Sequence, residues 1–452
     1  MYSIVTSSLG SRSIHNSLQL ASLEKLLPDT EVEAICRDLG HSWRSRQLPP
    51  GPTVRSMVSR SLNPDHSIAA VLADMAALQG PDFKAPTDAA WCQARSRLPE
   101  DVLFQLIVRR AKDCRRRFGE TFRWKDRWVF RIDGTTVSMP DTLSLGEVFG
   151  YSSSKHGPSR FPIGRVMFIE LAGLNVIWNY CIDEYRRSEQ AQLYAIWDSL
   201  PAGCICLMDR KFCSFYILAK LRQRRIGVIT PLHQSRDPQK LIAKGWPLGE
   251  DDWCVPLTIH PNTRRSYDDP SLPKVLHVRL IRVRFRRGRK FKTLWLVTTL
   301  MDPLTYPTKE IAERYRTRWQ IETRIGSLKT TLEMNVLRSK GPEAVRREVA
   351  AIILGHNLTR TLIHEAAEIS QTRSEAISFA GAVKVILAFS AVLLHAPQRS
   401  RRRIYRHMLF QIARQTNHHP PGRIEPRQIK RNSVRYPFLQ EPRWKARQKC
   451  LS

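Results

Sequence analysis

The chain has 452 residues, 42% of them hydrophobic, which is enough for two or three domains with a sizeable core and excludes a protein that is disordered throughout. It carries 73 lysines and arginines against 41 aspartates and glutamates, a formal net charge of +32. Such an excess repels itself unless it faces a polyanion, which favours a nucleic-acid partner. Ribosome association or an anionic membrane surface would use the same charge.

The cysteines predict buried thiols in a reducing cytoplasm. No CxxC pair occurs, and the closest group straddles an apolar strand: Cys204, Cys206 and Cys213. Residues 1–20 lack the basic start and continuous apolar core of a signal peptide. Residues 376–394 are the most apolar run, but polar residues interrupt it, so it predicts a buried helix and no membrane span.

Residues 1–115 predict a helical N-terminal domain. Apolar residues recur at steps of three and four in residues 20–39, 68–78 and 103–114. A domain that recognises a specific DNA end and a helical support domain both fit this pattern. No recognition helix is identified, so no base contact is assigned.

From residue 128 the pattern changes to strands. Residues 128–133 run into Asp133-Gly-Thr-Thr, and alternation continues beyond, so Asp133 lies near the middle or end of the first strand. Gly134 permits a metal or a DNA backbone to approach closely. Residues 166–171 and 176–182 then predict an antiparallel hairpin.

Asp209 is a candidate functional carboxylate beside Asp133, and it follows a short apolar run. After a helix, residues 204–208 are typical of a central strand buried on both faces, and Asp209 comes directly after them. A helix at 215–225 and a strand at 226–230 complete the order of three strands, helix, strand, helix, strand. Asp183, at the end of the hairpin, is the alternative second acid, and we favour Asp209.

Residues 231–293 predict a β-rich segment. Within it, residues 275–285 and 291–299 face each other as a hairpin. Its tip is strongly basic and carries Arg287, Arg289 and Lys290.

Residues 310–332 predict one helix with an apolar face and an adjoining polar stripe. That stripe contains Tyr315, Arg318, Glu322 and Lys329. An ordinary ion pair between Arg318 and Glu322, four residues apart on a solvated helix surface, would explain part of this stripe. Together with Asp133 and Asp209 upstream, the stripe favours a catalytic role for Glu322.

Helices predicted at 341–397 are apolar enough to pack on the domain before them. Residues 398–452 form a basic tail, dense in lysine and arginine against only Glu425 and Glu441. The composition predicts an extended or partly disordered arm that binds phosphates without reading sequence.

The order Tyr, two residues, Arg, three residues, Glu, six residues, Lys resembles the YREK signature of IS4-family transposases, which belong to the DDE transposase and ribonuclease H-like superfamily. Asp133-Gly-Thr and Asp209-Arg210 match the first and second catalytic motifs of that family. The resemblance implies an α/β catalytic domain at 125–340, with a ribonuclease H-like mixed sheet and a β insertion at about 231–293. It also implies that Asp133, Asp209 and Glu322 are the catalytic acids.

The chemistry of that family explains these residue types. Cutting and rejoining a phosphodiester needs an activated nucleophile and a stabilised leaving oxygen, which two magnesium ions supply. Mg²⁺ prefers oxygen ligands, so Asp133, Asp209 and Glu322 are the expected metal ligands, with Mn²⁺ as a substitute. The expected DNA contacts are Tyr315, Arg318, Lys329, Arg210, Arg287, Arg289 and Lys290. In some relatives an insertion-domain tryptophan stacks on a displaced base, and Trp253 and Trp246 are the candidates here.

We therefore expect an insertion-sequence transposase that cleaves DNA at terminal inverted repeats and joins the ends to target DNA. The resemblance implies a homodimer in the synaptic complex, working in a bacterial cytoplasm on nucleoid DNA without a membrane partner. The main alternative is a transposase-derived DNA-binding protein that no longer cuts, against which the intact acid triad argues. A general metal-dependent nuclease would share the site but show no preference for paired ends.

Overall fold

A computed structural model describes residues 26–44, 48–63, 67–79, 84–154, 157–287, 290–417 and 441–451. In chain order the α-helices of these residues are α1 Asp29–Asp38, α2 Pro50–Leu62, α3 Ile68–Gln79, α4 Asp88–Arg97, α5 Glu100–Phe118, α6 Leu143–Phe149, α7 Glu189–Ile196, α8 Phe215–Gln223, α9 Pro238–Ile242, α10 Pro261–Tyr267, α11 Thr308–Arg316, α12 Trp319–Thr330, α13 Pro342–Ile369, α14 Phe379–His395, α15 Gln398–Ala413 and α16 Arg443–Leu451. The strands are β1 Val129–Ser138, β2 Ser153–Ser154, β3 Gly157–Pro158, β4 Ile163–Leu171, β5 Val176–Glu184, β6 Ile205–Leu207, β7 Gly227–Pro231, β8 Trp246–Gly249, β9 Asp252–Thr258, β10 Val275–Arg287 and β11 Lys290–Thr298.

The chain divides into two compact units, and both are assembled from separated segments. The first contains Met1–Cys114, Thr136–Gly164 and Ser327–Ser452, and the second contains Arg115–Thr135 and Arg165–Gly326. The domain boundaries expected from the sequence stay predictions.

The second unit is built on a nine-stranded mixed sheet in the order β5-β4-β1-β6-β7-β11-β10-β9-β8. Strand β6 lies between β1 and β7 and pairs in parallel with both. The first five strands, with α7 before β6 and α8 before β7, have the strand order of a ribonuclease H-like domain. The predicted fold class and order of elements are therefore confirmed.

The core of this unit forms where the shortest strand is covered on both faces. Every residue of β6 is fully buried, because Ile205 and Leu207 face one cluster while Cys206 faces the opposite side. Ile311 and Tyr315 of α11 pack into the same cluster as Ile205 and Leu207. Helix α11 is therefore fixed against the strand that leads to Asp209.

Strands β8 to β11 continue the same sheet. Strand β11 pairs antiparallel with β7, with Val297 opposite Thr230, and the β10–β11 hairpin extends to Arg287 opposite Lys290. Fully buried Arg279 of β10 forms an ion pair with Asp252 at 2.5 Å and donates to the carbonyl oxygens of Leu300 and Tyr306. This arginine links the added strands to the segment before α11.

The expectation of one continuous helix over residues 310–332 is wrong. Helix α11 ends at Arg316 and α12 begins at Trp319. The Thr317 hydroxyl donates to the Arg314 carbonyl at 2.8 Å, and the amides of Arg318 and Ile321 bond to carbonyls three residues back. A side chain that competes for a backbone acceptor and a run of tighter turns both interrupt an α-helix.

The first unit is organised around α13, which packs against α2, α14 and α15. Helix α2 comes closest at Gly355, where an added Cβ would lie 2.9 Å from the Ser61 hydroxyl oxygen, so only glycine permits this approach. Within the described residues, no helix is long and apolar enough to cross a membrane. The predicted cysteines Cys204 and Cys206, in the second unit, are buried free thiols.

Both described parts of the basic tail contain a helix, so the expectation of an extended arm is wrong for residues 398–413 and 443–451. Met408, Leu409 and Ile412 supply a buried apolar face at helical spacing, which the count of charges concealed. Residues 418–440 lie outside the described part of the chain.

Candidate active site

Asp133 and Asp209 are brought together by the register of two parallel strands. Arg131 of β1 pairs with Leu207, the last residue of β6. Asp133 lies two residues farther along β1, and Asp209 lies two residues beyond the end of β6, so the parallel register brings both aspartates to the same edge of the sheet. The buried Thr230 hydroxyl donates to the Asp209 carbonyl oxygen at 3.0 Å and holds that strand end in place.

Arg318 connects Asp133 to Glu322. Its Nη1 lies 3.4 Å from Asp133 Oδ2, and its Nη2 lies 2.9 Å from Glu322 Oε1. The Arg318 side chain is 5% exposed, whereas the Glu322 side chain is 43% exposed. The guanidinium therefore occupies the space between the two carboxylates, and Glu322 opens to solvent on its far side.

The charges of the other two acids act on the pKa of Asp133. Burial raises the pKa of Asp133 from 3.8 to about 6, against the lowering effects of Arg318 and of the Gly134 amide. The charges of Glu322 and Asp209 raise it further. Burial would lower the pKa of Arg318, but Tyr315 and the two carboxylates that it contacts raise it.

Asp183, the alternative second acid, has a different environment. It pairs locally with Arg187 four residues later and accepts a hydrogen bond from the Glu184 amide at 2.8 Å. Its charge is not among the principal influences on Asp133, whereas that of Asp209 is. These observations support Asp209 as the partner of Asp133.

A buried charged network beneath the acids was not predicted from the sequence. Arg131, two residues before Asp133, is 2% exposed. Its Nη1 donates to Glu170 at 3.0 Å and to Asn175 at 3.1 Å, and its Nη2 donates to the side chain of Gln320. Gln320 lies two residues before Glu322, so the network ties the N-terminus of α12 to β1 and β4. The signal was present: Arg131 and Glu170 each lie between apolar neighbours in a predicted strand.

The other residues of the YREK pattern have separate environments. The Tyr315 ring is 5% exposed, and burial raises its pKa to about 12. Its hydroxyl interacts with Arg318. Lys329 lies in the last turn of α12, in the first unit, where burial lowers its pKa. Arg210 is exposed directly after Asp209.

One face of the insertion carries an aromatic pair with an arginine between the rings. Trp253 of β9 and Trp295 of β11 have ring centroids 5.9 Å apart. Arg282 of β10 lies 5.6 Å from the first centroid and 5.8 Å from the second. Trp246 is 50% exposed, and its ring centroid lies 5.5 Å from that of His277 with the two rings tilted by 48°. At the hairpin tip, Arg287 and Lys290 are described as backbone only, and Arg289 lies outside the described residues.

The donor atoms of the acid group suit a hard divalent cation. Asp133, Asp209 and Glu322 offer only carboxylate oxygens, the ligands that Mg²⁺ prefers. Across the described residues, no group of three or more His, Cys, Asp or Glu side chains is close enough together to hold a metal ion. The Arg318 guanidinium lies between Glu322 and Asp133.

Comparisons with known proteins identify the family of the chain. The family described as Transposase DDE domain matches residues 124–358. Over 350 residues the chain is 26% identical to the transposase InsG for insertion sequence element IS4 of Escherichia coli (strain K12), covering 75% of this chain and 76% of InsG. A solved piggyBac transposase synaptic complex with hairpin DNA is similar at a TM-score of 0.43 and 10% identity, over 91% of this chain and 88% of that one. The chain therefore belongs to the DDE transposase family and, within it, to the IS4 group.

Proposed function

We propose that this transposase cleaves DNA at the terminal inverted repeats of its insertion sequence and transfers the ends into target DNA. The observation that carries the proposal is the register of β1 and β6, which brings Asp133 and Asp209 to the same edge of the sheet, with Arg318 joining Glu322 to Asp133. A protein that only binds DNA needs no such convergence of acids on one basic side chain. The likeness to InsG, a transposase of an insertion sequence, supports the same activity.

In this proposal Asp133, Asp209 and Glu322 hold divalent metal, Mg²⁺ with Mn²⁺ as a substitute. When bound, the metal supplies nucleophile activation and charge stabilisation on the leaving oxygen. The strands hold the two aspartates in fixed positions, while Glu322 is exposed enough to move.

Arg318 then has two positions. Without DNA it neutralises Asp133 and Glu322, and with DNA it turns to a phosphate, which a planar guanidinium binds through two nitrogens. Tyr315 supports Arg318 from the core and, through its hydroxyl, contributes to phosphate binding. Lys329 and Arg210 are the further phosphate contacts in this proposal.

The insertion approaches the same DNA. We assign Arg287, Arg289 and Lys290 of the hairpin tip to phosphate binding. Trp253 is the stacking residue for a displaced base, because Arg282 holds its ring against the sheet face and supplies positive charge beside it. Two copies of the chain bring two ends together in the synaptic complex, on the DNA of a bacterial nucleoid.

The test is cleavage of a duplex that carries the element's terminal repeats, in Mg²⁺ or Mn²⁺. We expect Asp209→Asn to abolish cutting while it retains end binding. Asp183→Asn is the matched control, since it removes the same charge near the end of β5, and we expect it to cut normally. If Asp183→Asn is the inactive variant, the assignment of the second acid is wrong.

The second candidate function is a transposase-derived DNA-binding protein. The observation in its favour is the position of Arg318, which fills the space between two of the acids. A wild-type protein that binds the ends but cuts in neither metal would support it against the proposal above.

A further inference from the structure

Helix α15 of the first unit carries an arginine stripe on one face. Its members are exposed and lie at i, i+3, i+4 and i+7: Arg399, Arg402, Arg403 and Arg406. At about 100° per residue this spacing gathers the four side chains into one narrow band. Phe410 continues the band by a further turn, is 40% exposed and lies 5.7 Å from Arg406.

The opposite face fixes the helix in this orientation. Met408, Leu409 and Ile412 are buried. The Tyr405 hydroxyl donates to Glu365 of α13 at 2.9 Å. The helix therefore cannot rotate without exposing its apolar side, and the arginine stripe faces outward.

The charge of the stripe is not balanced nearby. Helix α15 contains no aspartate or glutamate, and within the described residues none of the four arginines forms an ion pair with a carboxylate. Like charges at i, i+4 destabilise a helix by a few tenths of a kcal/mol per pair. A polyanion that lies along the helix would reverse this effect by accepting all four charges together.

We infer that the arginine stripe is a docking surface for the sugar-phosphate backbone of duplex DNA, bound without reading sequence. Seven residues of α-helix extend about 10.5 Å, which corresponds to roughly three phosphates along one strand. Arginine guanidinium groups suit phosphate oxygens, and contacts of this kind fix DNA position and carry no base information. The inference rests on the proposed function, in that the chain acts on DNA, and adds a contact surface outside the acid group.

The test measures how the affinity of the full chain for a random-sequence duplex depends on salt. The variant is Arg402→Gln/Arg403→Gln. The control, Arg373→Gln/Arg401→Gln, removes the same charge from the same unit. Arg373 is paired with Glu375, and Arg401 lies on the far side of α15 and donates to the Ala396 carbonyl. A plot of log K against log salt has a negative slope, and each lost phosphate contact reduces the magnitude of that slope by about 0.9. We expect a fall of about 1.8 for the variant and a much smaller fall for the control. Arg402→Lys/Arg403→Lys should restore the slope.

Two results would overturn this inference without affecting the proposed function. The first is equal slopes for the variant and the control. The second is a variant that loses affinity for anionic phosphatidylserine vesicles but not for duplex DNA. In either case wild-type cleavage of the terminal repeats would remain, so the proposed function would stand. A wild type that binds no duplex at all would contradict both. Unchanged thermal unfolding of the variant excludes misfolding as the cause.

Discussion

Replacing Asp133 with asparagine is expected to stabilise the metal-free protein at alkaline pH although it removes a catalytic acid. Asp133 lies at 21% side-chain exposure, and Arg318 at 3.4 Å only partly offsets the cost of burying its charge. Asparagine has nearly the same shape and stays neutral. The variant therefore avoids the cost of an ionised carboxylate at this position.

The size of the effect follows from the pKa of Asp133, which burial raises from 3.8 to about 6. A carboxyl group that binds its proton more tightly in the folded state contributes stability that is complete below pH 3.8 and is lost as the pH rises through 6. A rise of this size corresponds to about 3 kcal/mol at most. Since part of the side chain is exposed, we expect a gain of about 1–3 kcal/mol for Asp133→Asn at pH 8.

The assay is thermal unfolding of the wild type and of Asp133→Asn at pH 4.5 and pH 8, both with a chelator present. A gain of this size should raise the midpoint of the second unit by several degrees at pH 8, and the difference should shrink at pH 4.5. Asp183→Asn serves as the matched control. The reasoning is refuted if Asp133→Asn changes the midpoint equally at both pH values, or if it destabilises the protein more at pH 8.

Further predictions concern the groups around the acids. Arg131→Met should destabilise the second unit by about 3–5 kcal/mol, because it leaves buried Glu170 without its cation. Gln320→Leu leaves the Arg131–Glu170 pair intact but removes the contact between Arg131 and the N-terminus of α12. It should therefore slow cleavage with little change in thermal midpoint, and cleavage at the wild-type rate would contradict a role of Gln320 in positioning Glu322. Arg318→Lys keeps the positive charge but cannot form the bidentate contact that a guanidinium makes with a phosphate. Cleavage should therefore fall, while Mn²⁺ binding, measured by calorimetry, is retained. Trp253→Ala should abolish the fluorescence change of 2-aminopurine placed beside the cleavage site, and an unchanged signal would exclude stacking.

The sequence was informative where local pattern decides structure. The apolar run that ends at Asp209 and the alternation around Asp133 could be recognised because central strands bury both faces and exposed strands alternate. Parallel pairing of β1 with β6 then sets the two aspartates together. The order of elements could be predicted for the same reason.

What escaped prediction depends on individual contacts and on a few anchoring residues, which periodicity and composition do not register. The break before Arg318 arises from one hydroxyl bond of Thr317, which periodicity does not register. Arg131 lies among apolar residues of β1, but its burial depends on Glu170 and Gln320, which are distant in sequence. Helix α15 was hidden because its charges outnumber the few apolar residues that anchor it.

The most direct test of the central claim is cleavage of terminal-repeat DNA by Glu322→Gln in Mg²⁺ and Mn²⁺. Glu313→Gln, which removes an exposed glutamate from α11, is the matched control. We predict that Glu322→Gln binds the ends and cuts in neither metal, whereas Glu313→Gln cuts as the wild type does. Cleavage by Glu322→Gln at the wild-type rate would contradict the assignment of Asp133, Asp209 and Glu322 as one metal-dependent site.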